Sequence, residues 1–94
     1  MTIYYSDWQM TSDLTGEAAH RVADGWELDW RLTWLPHRLV SRGQALAGME
    51  LAEIFSGQHY RRDVILAARA IVNADELGMP VEEVQQVLQG RREH

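Results

Sequence analysis

Five apolar residues alternate with polar ones between positions 26 and 34. Trp26, Leu28, Trp30, Leu32 and Trp34 are separated by Glu27, Asp29, Arg31 and Thr33. A period of two fits a strand with one buried and one wet face. A helix would align the three tryptophans but scatter Leu28 and Leu32 to the opposite side. The alternation therefore predicts an antiparallel strand over 26–35, closed by Leu35-Pro36, because proline has no amide for the ladder. Pro36-His37-Arg38 then reads as a turn.

Helical periodicity dominates the rest. Leu14 to Ala23 reads as a short helix, with Asp13 as N-cap, Glu17 near the positive end of the dipole and Asp24-Gly25 as the stop. Ser41 and Gln44 form a capping box, and Val40 with Ala45 is placed as a hydrophobic staple. The helix that follows carries Ala45, Leu46, Met49, Ala52 and Phe55 on one stripe, with Glu50 and Glu53 toward the other side and Gly57 as its end. Asp63 to Leu77 forms the next helix, with Val64, Leu66, Ala67, Ala70, Ile71 and Ala74 on its buried side and Gly78 closing it. A last helix opens at Met79-Pro80, buries Val81, Val84, Val87 and Leu88, and stops at Gly90. Residues 1–12 carry no decisive pattern. With 94 residues there is one domain, spanning 1–90, and 91–94 is a frayed tail. The fold class is α+β: a short antiparallel sheet around the aromatic strand, packed on three to four helices.

Composition narrows the function. The chain has no Cys, which removes disulfides, thiolate nucleophiles and Cys-based zinc sites. Its formal net charge is −5, and all its cationic side chains are Arg, none Lys. Such a field opposes general nucleic-acid coating, which runs on clustered basic residues. No stretch is apolar for long enough to span a bilayer, and the first residues have no signal-peptide pattern. A cytoplasmic location without a membrane role is the expectation.

From Trp26 to about Glu53 the order is an aromatic strand, Trp34-Leu35-Pro36, Arg38, Ser41-Arg42-x-Gln44-Ala45 and Met49-x-Leu51-Ala52-Glu53. This resembles small uncharacterised proteins of actinobacteria and their phages, over about a third of the chain. Ala74, Leu77 and Gly78 extend the likeness. It departs at His37, where the pattern has Gly. The resemblance implies a phage or prophage origin and brings no catalytic residues with it.

Candidate sites weigh unevenly. His20, His37, His59 and His94 are scattered without metal-ligand spacing, so no metal or other cofactor is expected. Ser41 and Ser56 are explained by helix ends, and no nucleophile motif or phosphate loop occurs. The expectation is a protein that is not an enzyme. Two features remain. Trp26, Trp30 and Trp34 on one strand face exceed what a few helices should cover, so the excess suggests a contact surface, with Trp8 and Tyr60 at its rim. Tryptophan is enriched at such contacts. A homodimer is the simplest occupant and a host protein another. The second feature is the set Ala74, Leu77, Gly78, Val84 and Val87, which matches a helix-turn-helix packing signature over 64–90. A transcription regulator would present Gln85, Gln86, Arg91 and Arg92 to DNA, yet Glu82 and Glu83 would face phosphate beside them. A third possibility is an inhibitor whose acidic helix faces fill a basic site on another protein.

Overall fold

In the computed structural model, which describes residues 2–22, 28–57 and 62–92, five short strands precede three helices. The strands are β1 (Ile3–Tyr5), β2 (Gln9–Ser12), β3 (Ala18–Arg21), β4 (Trp30–Leu32) and β5 (Leu35–Val40). They form a single antiparallel meander in the order β1-β2-β3-β4-β5. The helices are α1 (Arg42–Ser56), α2 (Val64–Leu77) and α3 (Val81–Arg92). The α+β class and the sheet-plus-helices architecture match the sequence-based expectation.

Register decides which side of the sheet is dry. Met10 pairs with Ala19, which pairs with Leu32, and Arg21 pairs with Trp30, which pairs with Val40. The apolar members of these rows are buried in the core. The opposite face carries Gln9, His20 and Arg31 in one row and Tyr4, Thr11 and Ala18 in another. α1 packs on the dry face, and α2 and α3 pack on α1 and on each other.

Of the helix expected over 14–23, residues 14–22 are instead loop and strand. Ala19 is completely buried between Met10 and Leu32, while His20 beside it is exposed. In an Ala-rich stretch this short, periods of two and of three to four coincide, and strand partners decide. Asp13 caps no helix; its Oδ1 accepts from the Thr2 amide at 2.9 Å and joins β1 to β2. Residues 23–27, including Trp26, lie outside the described residues.

The single strand expected over 26–35 is two strands joined at Thr33-Trp34, with Leu32 opposite Leu35. No Asn-Gly or Asp-Gly marks this two-residue connection, so the usual hairpin signal is missing. A buried anchor holds it instead: Trp34 Nε1 donates to the Gly48 carbonyl at 3.2 Å. Leu28, expected on the buried face, is exposed, and Asp29 is buried with its Oδ2 accepting from Arg21 Nε at 2.8 Å. Pro36, His37 and Arg38 are not a turn but lie within β5. That strand is an edge of the sheet, where a missing amide breaks no ladder.

The helix-end readings from sequence hold for α1 and α2. Ser41 Oγ accepts from the Gln44 amide at 3.1 Å, and Gln44 Oε1 accepts from the Ser41 amide at 3.0 Å. Asp63 caps α2 by accepting from the Ile65 and Leu66 amides. Gly78 ends α2 at φ 78°, the left-handed conformation that favours glycine. Gly57 ends α1 in extended geometry. Two expectations fail. Glu53 is buried and accepts from Ser12 Oγ at 2.6 Å, rather than facing water. α3 continues through Gly90 to Arg92, so Arg91 belongs to the helix rather than to a frayed tail.

The tightest approach in the core is between α1 and β4. A Cβ on Gly48 would overlap Leu32 Cδ1 and lie 3.0 Å from Cδ2. Leu32 is fully buried and has nowhere to retreat. Gly48→Ala should therefore destabilise the protein by about 1–3 kcal/mol in urea titration, despite alanine's better helix propensity. Gly90→Ala, with nothing within 4 Å of its Cβ, should stabilise by about 0.5–1 kcal/mol.

Candidate interaction surface

The residues nominated as an aromatic contact face separate into two groups. Trp30 and Trp34 are 2% and 1% exposed and belong to the core. They are not available to a partner, because α1 covers the sheet face that carries them. For Trp30 and Trp34 the expectation of an uncovered aromatic face is corrected: α1, admitted close to the sheet by Gly48, covers both. Trp26 and Tyr60 lie outside the described residues. Among the described members of the set, Trp8 alone is open, 62% exposed in the β1–β2 connection. The Arg21 guanidinium sits 5.1 Å from its ring centroid, and Arg42 lies 5.8 Å from that of exposed Tyr5. Both are cation–π distances.

The nominated DNA contacts are dispersed by other commitments. The packing signature itself is present: Ala74, Leu77 and Val84 are buried, Gly78 makes the turn, and Arg38 Nη2 donates to the Leu77 carbonyl at 2.8 Å. Gln86 is exposed and Gln85 half-buried. Arg91 is held by Glu17, with Nε to Oε2 at 2.6 Å and Nη2 to Oε1 at 2.8 Å. Arg92 closes the helix, and its side chain lies outside what the structure describes. Glu82 and Glu83 occupy the first turn of α3, at the end a recognition helix would present.

A cleft of about 390 Å³ lies beside the Glu17–Arg91 pair, lined by Leu14, Thr15, Phe55 and Leu88 among others. Its carboxylate is already engaged, since Thr33 Oγ1 also donates to Glu17 Oε1 at 2.7 Å. Burial pushes the Glu17 carboxyl upward, but the Arg91 and Thr33 hydrogen bonds and the Arg91 charge outweigh it. The result lies below the ordinary carboxylate range. The same bond to Glu17 raises Arg91 against its own partial desolvation. Among the described residues, no group of three or more His, Asp or Glu side chains could hold a metal ion.

The surface that the sequence reading missed is on α2. Val64, Ile65, Ile71 and Val72 are 82%, 70%, 59% and 67% exposed. The helical spacing places Val64 and Ile71 on the buried side, and the structure exposes both. At roughly 100° per residue, these four and Ala68 fall on one stripe about 120° wide. It lies opposite the stripe of Leu66, Ala70 and Leu77 that faces the core. α2 is thus apolar on two opposite sides. A soluble helix normally keeps its outer side polar, and contiguous exposed apolar residues mark contact surfaces. The signal was legible: a β-branched pair at each end of the stripe is a poor choice for a solvated helix face.

No family model, curated protein or solved structure matches this chain. Among the described residues, no helix is long and apolar enough to cross a membrane.

The Glu17–Arg91 pair makes a pH-dependent contribution. A carboxyl depressed by folding stabilises above its unfolded pKa, and that stabilisation disappears as pH falls through the folded value. Arg91→Ala should cost about 1 kcal/mol or less at pH 7, because water still reaches the guanidinium. In chemical denaturation at stepped pH, the difference from wild type should shrink as the pH drops through the acidic carboxylate range.

Proposed function

We propose that this chain is a non-enzymatic protein-interaction module whose contact face is the outer stripe of α2. The observation that carries the reading is the exposure of Val64, Ile65, Ile71 and Val72 on the side of α2 away from the core. Burying such side chains is worth about 25 cal/mol per Å² of apolar surface, so a partner that covers them gains directly. The interaction role that the sequence suggested for the aromatic strand moves to this helix. Trp8, with Arg21 stacked on it, keeps the residue chemistry of a secondary contact. A cytoplasmic setting and a phage or prophage origin complete the proposal, resting on composition and on the resemblance around Trp34-Leu35-Pro36. Acting as a DNA-binding regulator draws no specific support from geometry that commits Arg91 to Glu17.

Paired Val64→Ser and Ile71→Ser substitutions test the face. In low-micromolar protein the double variant should keep its circular dichroism spectrum and melt within about 3 °C of wild type, as surface changes do. Binding of an apolar fluorescent dye should fall several-fold. Loss of the fold, or dye binding unchanged, would assign the stripe to the core or to inert surface and overturn the reading.

A further inference from the structure

The α2 stripe is self-complementary when two helices run in opposite directions. Val64 and Val72 are equidistant in sequence from Ala68, as are Ile65 and Ile71. A twofold axis beside Ala68 would lay Val64 on Val72 of the other copy and Ile65 on Ile71 of the other copy. At the centre, Ala68 is small enough to let the two backbones approach at the lower end of the 8–10 Å range for packed helices.

Electrostatics select the antiparallel arrangement. The last turn of α2 carries Asp75 and Glu76 and no basic residue, at the negative end of the helix dipole. Both are exposed, and neither makes an ion pair among the described residues. The opposite end has exposed Arg62, with the Asp63 cap offsetting the positive end of the dipole beside it. Antiparallel docking brings Arg62 of each copy toward Asp75 and Glu76 of the other, whereas parallel docking stacks those carboxylates on each other and aligns the dipoles. A groove of about 240 Å³ along the stripe, lined by Glu50, Ala68, Arg69, Val72 and Asn73, gives a side chain of the other copy a place to enter. Its polar wall is already satisfied, with Asn73 Nδ2 donating to Glu50 Oε2 at 2.9 Å.

We propose that a second copy of this chain occupies the α2 face, docked antiparallel about a twofold axis at Ala68, with Arg62 set against Asp75 and Glu76. The proposal rests on the reading of that stripe as a contact face. Two such stripes bury on the order of 1,000 Å², near the lower limit for a specific interface, so the dimer is of micromolar affinity.

The Cys-free sequence makes the test direct. Ala68→Cys places one thiol on the axis, and helices about 8–10 Å apart bring the two Cα atoms into disulfide range. Mild oxidation at about 100 µM should give a covalent dimer from Ala68→Cys and none from Val64→Cys alone, since two copies of residue 64 lie about 12 Å apart along antiparallel axes. A mixture of Val64→Cys with Val72→Cys should cross-link. In sedimentation equilibrium, wild type should dimerise, Ile65→Asp should not, and Asp75→Arg should weaken the dimer about tenfold through charge repulsion. Mixing Asp75→Arg with Arg62→Glu should recover much of that loss. A dimer that cross-links through Val64→Cys alone would replace the antiparallel arrangement with a parallel one. Wild type that stays monomeric up to about 500 µM, far above a micromolar Kd, would overturn self-docking. It would leave the contact face itself to be judged by the dye-binding result.

Discussion

α1 can lie on the sheet only because position 48 has no side chain. Leu32 from β4 fills the space that a Cβ would need, and the Gly48 carbonyl receives the Trp34 indole. This contact fixes the distance between helix and sheet and also pins the unmarked hairpin between β4 and β5. The edge strand β5 leads straight into the Ser41 cap, so the direction in which α1 departs follows from the same anchor. α2 and α3 pack on α1 in turn and inherit its position. A loosened Gly48 contact would be felt in all three helices.

What could be read from residues alone divides by length and by partner. α1 and α2 were legible to within a residue or two, because their caps are local chemistry: Ser41 with Gln44, Asp63 with two following amides, Gly78 with its positive φ. The strands were harder. β3 is four residues of alanine, histidine and arginine, and only Met10 on one side and Leu32 on the other make it extended. Thr33-Trp34 gave no turn signal because the turn is held by a side chain bonded to a distant helix. Pro36 suggested the end of a strand, when it could equally mark an edge strand, and nothing local distinguishes the two.

The candidate surface failed and succeeded for related reasons. Aromatic residues mark both cores and contacts, so their pattern alone could not tell Trp34 from Trp8. The α2 stripe was written in the sequence, but a helix with two apolar sides offers two choices of inner face. Spacing alone puts Val64 and Ile71 on the inner side, whereas they lie on the outer one. Burial of Ala70, Ala74 and Leu77 resolves the choice, because small residues on that side let α2 approach α1 and α3 closely.

The bond between Glu17 and Arg91 spans 74 positions. During synthesis the five-strand meander and its neighbour-to-neighbour pairings can form while α3 is still inside the ribosome. The segment leading into β3 is held early by Thr33, which bonds Glu17 and the Ala18 amide, and gains its bond to Arg91 only once that residue has emerged. The sheet does not wait on α3; the Arg91 bond is a second, later fastening of a loop that Thr33 already holds.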